Sequence, residues 1–509
     1  MIDFTAPTDD ILFSLRHVAG AESVAAWDDM LVADVLGHFA KFAEGVLAPL
    51  NAVGDVQGAR LENGRVRMPD GFADAYQQLV DGGWQGLTAP ERFGGMAQSA
   101  LVAVGVSEIF SGANHAMQMV CNLVPGAIDT LLHFGTPAQQ ETWIPQLAAG
   151  DVLSTMCLTE AGAGSDLSQI RCKAIRDGQD WRLDGEKIFI SGGDQDMSDG
   201  VLHLVLARSG PPKDGLKGLS LFLCPAAGGV SVTRIEDKLG LHASPTCHMT
   251  FDQARAELIG AKGDGLRAMF TVMNHARLDV ALQGVGHAAR ASQIARAYAT
   301  DRKQGRRKDG GPARLSDHAD VQRMLEEQAS LAMGARAMCH VAFVEMEKAD
   351  RPDLVAFLTP LCKVFCSEAG IRAADLGIQI LGGYGYLNEY HLGQIWRDAR
   401  ITSIYEGANG IHERSLATRG LRGAGADQFA EMIRELGRGS DWVLADLADW
   451  VEWREQMRAS DDPEIQAHRF VQATAQLYFR ACWAKCEAVA DENPMPDWVR
   501  HLAAQVLNS

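Results

Sequence analysis

Residues 151–191 read DVLSTMCLTEAGAGSDLSQIRCKAIRDGQDWRLDGEKIFIS. Apolar and polar residues alternate here in runs too short for helices, so 152–159, 170–175, 181–183 and 187–190 are predicted strands. Asp177-Gly178 and Asp184-Gly185 read as hairpin turns between them. Further short runs follow at 201–207, 219–224, 230–235 and 247–251. Short strands at this spacing predict a small antiparallel barrel or sandwich. A parallel α/β sheet would need a crossover helix between strands, and the chain leaves no room for one.

Outward from this segment the period changes. Before it, 1–150 is mainly helical: 32–46 and 72–81 carry apolar residues at three- and four-residue steps. Turns fall at Asp70-Gly71, Gly94-Gly95 and Thr136-Pro137. After Gly263, the stretches 266–302, 321–348, 354–381 and 411–419 are long and Ala-rich, which predicts an up-down bundle. Two or three more helices are expected after the loop Arg422-Gly423-Ala424-Gly425. The predicted fold is therefore α+β and mostly α. It comprises an N-terminal helical domain (1–150), a central antiparallel β domain (151–262), a C-terminal four-helix bundle (263–420) and a helical extension (421–509). The basic run RKQGRRKDGGPAR at 302–314 reads as an exposed loop, either solvated or able to receive a phosphate.

Composition narrows the function. Hydrophobic residues make up 47% and charged residues 22% of the 509, enough to build large cores. Lys+Arg is 47 against 65 Asp+Glu, a formal charge of −18, which argues against nucleic-acid or anionic-membrane partners. No stretch approaches the ~20 apolar residues of a bilayer span. The opening MIDFTAPTDD lacks the basic and apolar regions of a secretory leader, so a cytoplasmic location is expected. The ten cysteines are scattered and include no CxxC pair. Cys362/Cys366 and Cys482/Cys486 share helical faces, and buried reduced thiols are expected rather than a metal site.

No G-x-x-x-x-G-K-[ST], H-E-x-x-H or G-x-S-x-G is present, and Gly162-x-Gly164 lacks the third glycine of a dinucleotide fingerprint. Four constellations remain. Met156–Asp166 runs a strand into a loop of small residues, where Gly162, Gly164, Thr159 and Ser165 suit a phosphate or the edge of a heterocycle. Phe189-Ile190-Ser191 ends a strand with a ring and a hydroxyl. Gln379-Ile380-Leu381-Gly382-Gly383-Tyr384-Gly385-Tyr386 ends a helix with glycines. In Tyr405-Glu406-Gly407-Ala408-Asn409, Glu406 sits between apolar residues and a glycine, as a desolvated general base would. Alone, each reads more readily as a tight turn, a strand end, a helix cap or a surface glutamate.

In this order and spacing, over about residues 85–420, the four resemble the acyl-CoA dehydrogenase family. The resemblance implies FAD held between the β domain and the bundle, with no metal. Met156, Cys157, Leu158 and Thr159 would line the flavin edge, with Gly164 beside them. Ser165 would lie near the pyrophosphate or the CoA end of the substrate. Phe189 stands where the family usually has Trp against the flavin, followed by Ile190, and Ser191 where it has Thr. Arg302, Gln304, Gln379, Gly382 and Gly383 would reach the FAD of a neighbouring subunit, which implies a homodimer or homotetramer. Glu406 would be the catalytic base, removing the α proton of an acyl-CoA while the β hydrogen leaves as hydride to the flavin. Ala276 occupies the position where a minority of members carry the base. Asn274, Arg277, Tyr405 and Gly407 would contact substrate or order its pocket. Ala408 replaces a usual Thr or Ser near FAD, with Asn409 as its substitute, and the loop after Arg302 lacks the usual Phe-Gly. Electrons would pass to an electron-transfer flavoprotein. A flavin oxidase and a silent acyl-CoA-binding protein are the rival readings. Residues 12–18 (LFSLRHV) and 242–247 (HASPTC) resemble a long subgroup that includes 3-methylmercaptopropionyl-CoA dehydrogenases, which points toward short or sulfur-containing acyl groups.

Overall fold

A computed structural model describes residues 2–508, excepting the side chains at 271, 272, 274 and 275. The chain divides into two compact units, one of residues 1–48, 99–113 and 277–509, the other of residues 49–98 and 114–276.

The N-terminal part is helical, as its period predicts. It contains α1 (Thr8–Phe13), α2 (Asp29–Phe42), α3 (Ala48–Gln57), α4 (Phe72–Asp81), α5 (Ala100–Cys121), α6 (Val124–Phe134) and α7 (Pro137–Ala149). The short hairpin β1 (Arg60–Glu62) and β2 (Arg65–Arg67) interrupts it, which the periodicity did not indicate. Asn114 breaks α5 with φ −157°, and its Oδ1 accepts from Met117 N at 3.0 Å, capping the second half of the helix.

The central region forms β3 (Val152–Cys157), β4 (Lys173–Asp177), β5 (Asp180–Ser191), β6 (Gly200–Arg208), β7 (Leu219–Pro225), β8 (Val230–Ile235) and β9 (Thr246–Ile259). The pairings β6–β4–β5–β9–β7 return to β6 and close a ring, as a barrel requires. β3 joins β6 in parallel register, and the single β4–β6 pair is also parallel, so the sheet is not purely antiparallel. In β9 Cys247, Met249 and Phe251 alternate inward, the period-2 pattern of a half-buried strand. Asp184-Gly185 is not a turn: β5 runs through it with a register shift. Gly185 has φ 142°, and a Cβ there would stand 2.8 Å from Cys172 Cα, so glycine serves a close strand approach.

The second helical region contains α8 (Gly265–Asp301), β10 (Lys303–Arg306), β11 (Pro312–Arg314), α9 (Ala319–Lys348), α10 (Pro352–Leu381), α11 (Leu392–Arg400) and α12 (Asn409–Thr418). The basic segment is thus an exposed antiparallel hairpin rather than a loop. The extension holds four helices instead of two or three: α13 (Gly425–Leu436), α14 (Asp441–Ala459), α15 (Ala467–Ala488) and α16 (Pro496–Leu507). α15 packs on α9, where Tyr478 Oη donates to Met338 O at 2.9 Å and Trp483 Nε1 to Ser330 O at 3.2 Å. Contrary to the expectation from sequence, one segment among the described residues, Pro352–Tyr386, is long and apolar enough to cross a bilayer, but 67% of its apolar window is buried inside the protein. All ten cysteines are buried and free, with Cys339 Sγ 3.5 Å from Cys366 Sγ.

Candidate active site

Three clusters hold the residues singled out above. The first belongs to the β unit. Cys157 is fully buried at the end of β3, and burial pushes its thiol up to about 12, so it is an inert wall rather than a nucleophile. Beyond it the chain exposes Gly162, Gly164 and Ser165. A buried ion pair anchors this loop. Lys187 Nζ donates to Leu158 O at 2.9 Å and to Glu160 Oε1 at 2.8 Å. The Glu160 carboxylate also accepts from Arg171 N at 2.7 Å and Cys172 N at 3.0 Å. Ile188 N donates to Thr159 O at 2.9 Å, which ties the loop's start to β5. The next residue, Phe189, sits at a β5 register shift with φ 60° and is 59% exposed. Ile190 and Ser191 pair with Cys247 and Thr246 of β9.

The second cluster surrounds Glu406. The residue lies between α11 and α12 with φ 53°, followed by Gly407 at φ 95°. A Cβ at Gly407 would stand 2.8 Å from His412 Nε2, so both conformation and space demand glycine. Although Glu406 as a residue is only partly buried, its Oε2 is sealed from solvent and has no hydrogen-bond partner. Desolvation pushes its carboxyl up to about 7, against the pull of Arg277 and Lys363. Burial holds His412 down at about 4. It is therefore neutral, and its Nε2–H donates to Glu406 O at 3.0 Å. Tyr405 Oη donates to Gln283 Oε1 of α8.

The third cluster is a cleft of about 510 Å³ lined by Tyr298, Arg302, Gln304, Gly382, Gly383 and Tyr384, among others. It unites four of the five residues grouped by sequence, while Gln379 is exposed on the last turn of α10. The Arg302 guanidinium lies 5.5 Å from the Tyr384 ring centre.

Successive segments of the chain match three family descriptions: acyl-CoA dehydrogenase N-terminal domain at 35–151, middle domain at 155–254 and C-terminal domain at 263–421. 3-Methylmercaptopropionyl-CoA dehydrogenase of Ruegeria pomeroyi is 39% identical over 86% of this chain and 80% of its own. The chain belongs to the acyl-CoA dehydrogenase family. Among solved structures, butyryl-CoA dehydrogenase of Megasphaera elsdenii superposes with a TM-score of 0.67 at 25% identity, covering 75% of this chain and 96% of that one. The Caenorhabditis elegans ACDH-11 structure shares the fold over 99% of this chain and 91% of its own, with a TM-score of 0.84 at 20% identity. The fold it shares thus extends through the C-terminal helices.

Acyl-CoA dehydrogenases are FAD-binding flavoproteins, and the β unit fits that group. A Cβ at Gly162 or Gly164 would meet no protein atom within 4 Å, and neither has positive φ. The protein's own packing therefore does not require these glycines, and they leave backbone free for a ligand. Phe189 offers an apolar ring outward from a backbone conformation that costs a non-glycine residue about 1–3 kcal/mol.

Sequence reasoning missed several residues of this acyl-CoA dehydrogenase. Lys363 is the lone charge between Asp353 and Glu368 in an otherwise apolar run, a signal that could have found it. His412 and the Lys187–Glu160 pair carried no such mark. Ala408 is exposed and supplies no side-chain cap to α12. Asn409, expected to replace the missing hydroxyl toward FAD, instead turns inward: its Nδ2 donates to Ser367 Oγ at 3.1 Å and Glu368 Oε1 at 3.0 Å. The side chain of Asn274 lies outside the described residues.

Proposed function

We propose that this enzyme dehydrogenates an acyl-CoA thioester between its α and β carbons, with Glu406 as the base that takes the α proton. The observation that carries this is the sealed, unpartnered Oε2 of Glu406, with its carboxyl pushed up to about 7. The α proton of a thioester is weakly acidic, and a carboxylate of ordinary basicity takes it slowly. A base near 7 is the strongest that is still substantially ionised at neutral pH. Glu406 reaches that value because desolvation disfavours its charge, while the cations of Arg277 and Lys363 keep ionisation within reach. The peptide N–H of Glu406 is the donor this reading assigns to the thioester carbonyl, where negative charge develops.

Bound FAD would supply the acceptor for the hydrogen leaving the β carbon. Met156, Cys157, Leu158, Thr159, Gly164, Ser165, Phe189, Ile190 and Ser191 would hold it from the β unit. Arg302, Gln304, Gln379, Gly382 and Gly383 would reach the FAD of a neighbouring subunit. Arg277, Tyr405, Gly407 and Ser165 would line the acyl-CoA path. The four-part division at 150, 262 and 420 belongs to the same reading. So do homo-oligomeric assembly, a cytoplasmic location and an electron-transfer flavoprotein as electron acceptor. The 39% identity to the Ruegeria enzyme supports a short or sulfur-containing acyl group such as 3-methylmercaptopropionyl.

The test is anaerobic addition of straight-chain, branched and sulfur-containing acyl-CoA thioesters to the purified yellow protein. At least one should bleach the flavin absorbance, and 3-methylmercaptopropionyl-CoA should rank among the fastest. A flavin-loaded protein that no thioester bleaches would refute the assignment. Rapid reoxidation by O₂ without a transfer flavoprotein would make it an oxidase.

A further inference from the structure

Near Glu406 lies a buried cation whose hydrogen bonds the proposed reaction does not use. Lys363, in the apolar core of α10, has a fully buried side chain. Its Nζ donates to Gly407 O at 2.7 Å and to Asn409 Oδ1 at 2.9 Å. Asn409 is itself held through Glu368, whose other oxygen accepts from Gln472 of α15 at 3.1 Å. Two successive carbonyls of the loop are thus gripped, Glu406 O by His412 and Gly407 O by Lys363. These carbonyls belong to the two left-handed residues, Glu406 and Gly407. Such a backbone persists at a glutamate only where its surroundings over-determine it.

We infer that Lys363 is a positioning residue for Glu406: its ammonium pins the Gly407 carbonyl, holds the strained backbone that aims the carboxylate, and places a second positive charge beside the base. This rests on the reading of Glu406 as the base. The charged and titratable groups around Lys363 are Glu406 on the loop, Arg277 on α8, Glu368 on its own helix and His412 on α12, with neutral Gln472 from α15 behind Glu368. Burial pulls the Lys363 ammonium down to about 7, Glu406 and Glu368 raise it, and Arg277 lowers it. Lysine and glutamate therefore exchange protons over one pH range, and the charge of each biases the other.

The experiment follows the Glu406 carboxyl by infrared difference against Glu406→Gln, without substrate, in the FAD-loaded protein. Lys363→Gln keeps a donor and removes the charge, so the Glu406 midpoint should rise by about one pH unit. Lys363→Arg keeps the charge and should leave the midpoint near its wild-type position. Flavin reduction by Lys363→Gln should fall roughly fivefold at pH 7 and recover most of that loss at pH 9, because the base is merely protonated. An unchanged Glu406 midpoint in Lys363→Gln, or an equal rise in Lys363→Arg, overturns the proposal. A reciprocal arm needs no lysine variant. The ¹⁵N resonance of Lys363 should titrate lower in Glu406→Gln than in wild type, since coupling between two sites is mutual, and identical titrations there also overturn the proposal. Wild-type flavin reduction in Glu406→Gln would remove the base reading itself, whatever the titrations show, and the positioning role with it.

Discussion

Glu108 and Glu406 lie in the same compact unit, each with its carboxylate away from water and each near an arginine, yet they fall on opposite sides of the ordinary glutamate range. Burial pushes both upward. At Glu108 the push is overruled: Arg336 grips Oε1 through Nε at 2.9 Å and Nη2 at 2.7 Å, and His340 Nε2 stands 3.6 Å from Oε2. Its carboxyl is held below the usual value. At Glu406 the push wins, because Oε2 accepts no hydrogen bond and the nearby cations act without gripping it. Direct hydrogen bonds to the charged form separate a carboxylate held as an anion from one whose proton affinity is raised. The first is locked as an anion, and the second is free to gain and lose a proton.

Breaking the locked site should have the largest effect. Arg336→Met strands a buried anion, and losing one partner of such a pair costs about 3–5 kcal/mol. The denaturant midpoint should fall accordingly, and adding Glu108→Leu should restore much of it. A single variant as stable as wild type would mean that Glu108 is not held as an ion.

Next comes Glu406→Gln, which keeps size and hydrogen-bonding capacity but cannot accept the α proton. Flavin reduction in stopped flow should slow at least about 100-fold, with FAD content and, at pH 5, denaturant midpoint near wild type. Retention of the wild-type rate would place the base elsewhere.

A smaller effect is the pH dependence of that rate in the wild type. With a carboxyl near 7, flavin reduction should climb roughly tenfold between pH 6 and pH 8 as the ionised fraction grows. A profile already flat at pH 6 would show that Glu406 is as acidic as an ordinary glutamate.

The smallest effect concerns stability. The Glu406 carboxyl titrates higher in the folded chain than in the unfolded one, so the stability it contributes is fully present below the unfolded value. That stability is lost as pH rises through about 7. Gln at 406 does not titrate. The melting temperature of Glu406→Gln relative to wild type should therefore increase from pH 5 to pH 8, and a constant difference would contradict the raised carboxyl.

Periodicity located most elements because each answers to its own residues. Helix 72–81 and strand 230–235 have the predicted bounds. The misreadings share one cause, pairing with residues that are not immediate chain neighbours. Gly185 looked like a turn glycine but serves the approach of Cys172. The 302–314 segment looked like a loop but pairs with itself from Lys303 to Arg314. At the site, Glu406 was legible because its motif is contiguous, and the Gly162/Gly164 loop for the same reason. The inward turn of Asn409 was not, since it depends on Lys363, Ser367 and Glu368 of another helix.

The sequence by itself determined the order of helical and β segments, the family and the position of the conspicuous glutamate, all of which depend on neighbours along the chain. Only the tertiary structure decided which buried glutamate is held as an anion and which is pushed toward its neutral form. A carboxyl's affinity for its proton is set by desolvation and by charges a few ångströms away. Arg336 comes to Glu108 from 228 positions along the chain, while Arg277 and Lys363 come to Glu406 from helices α8 and α10.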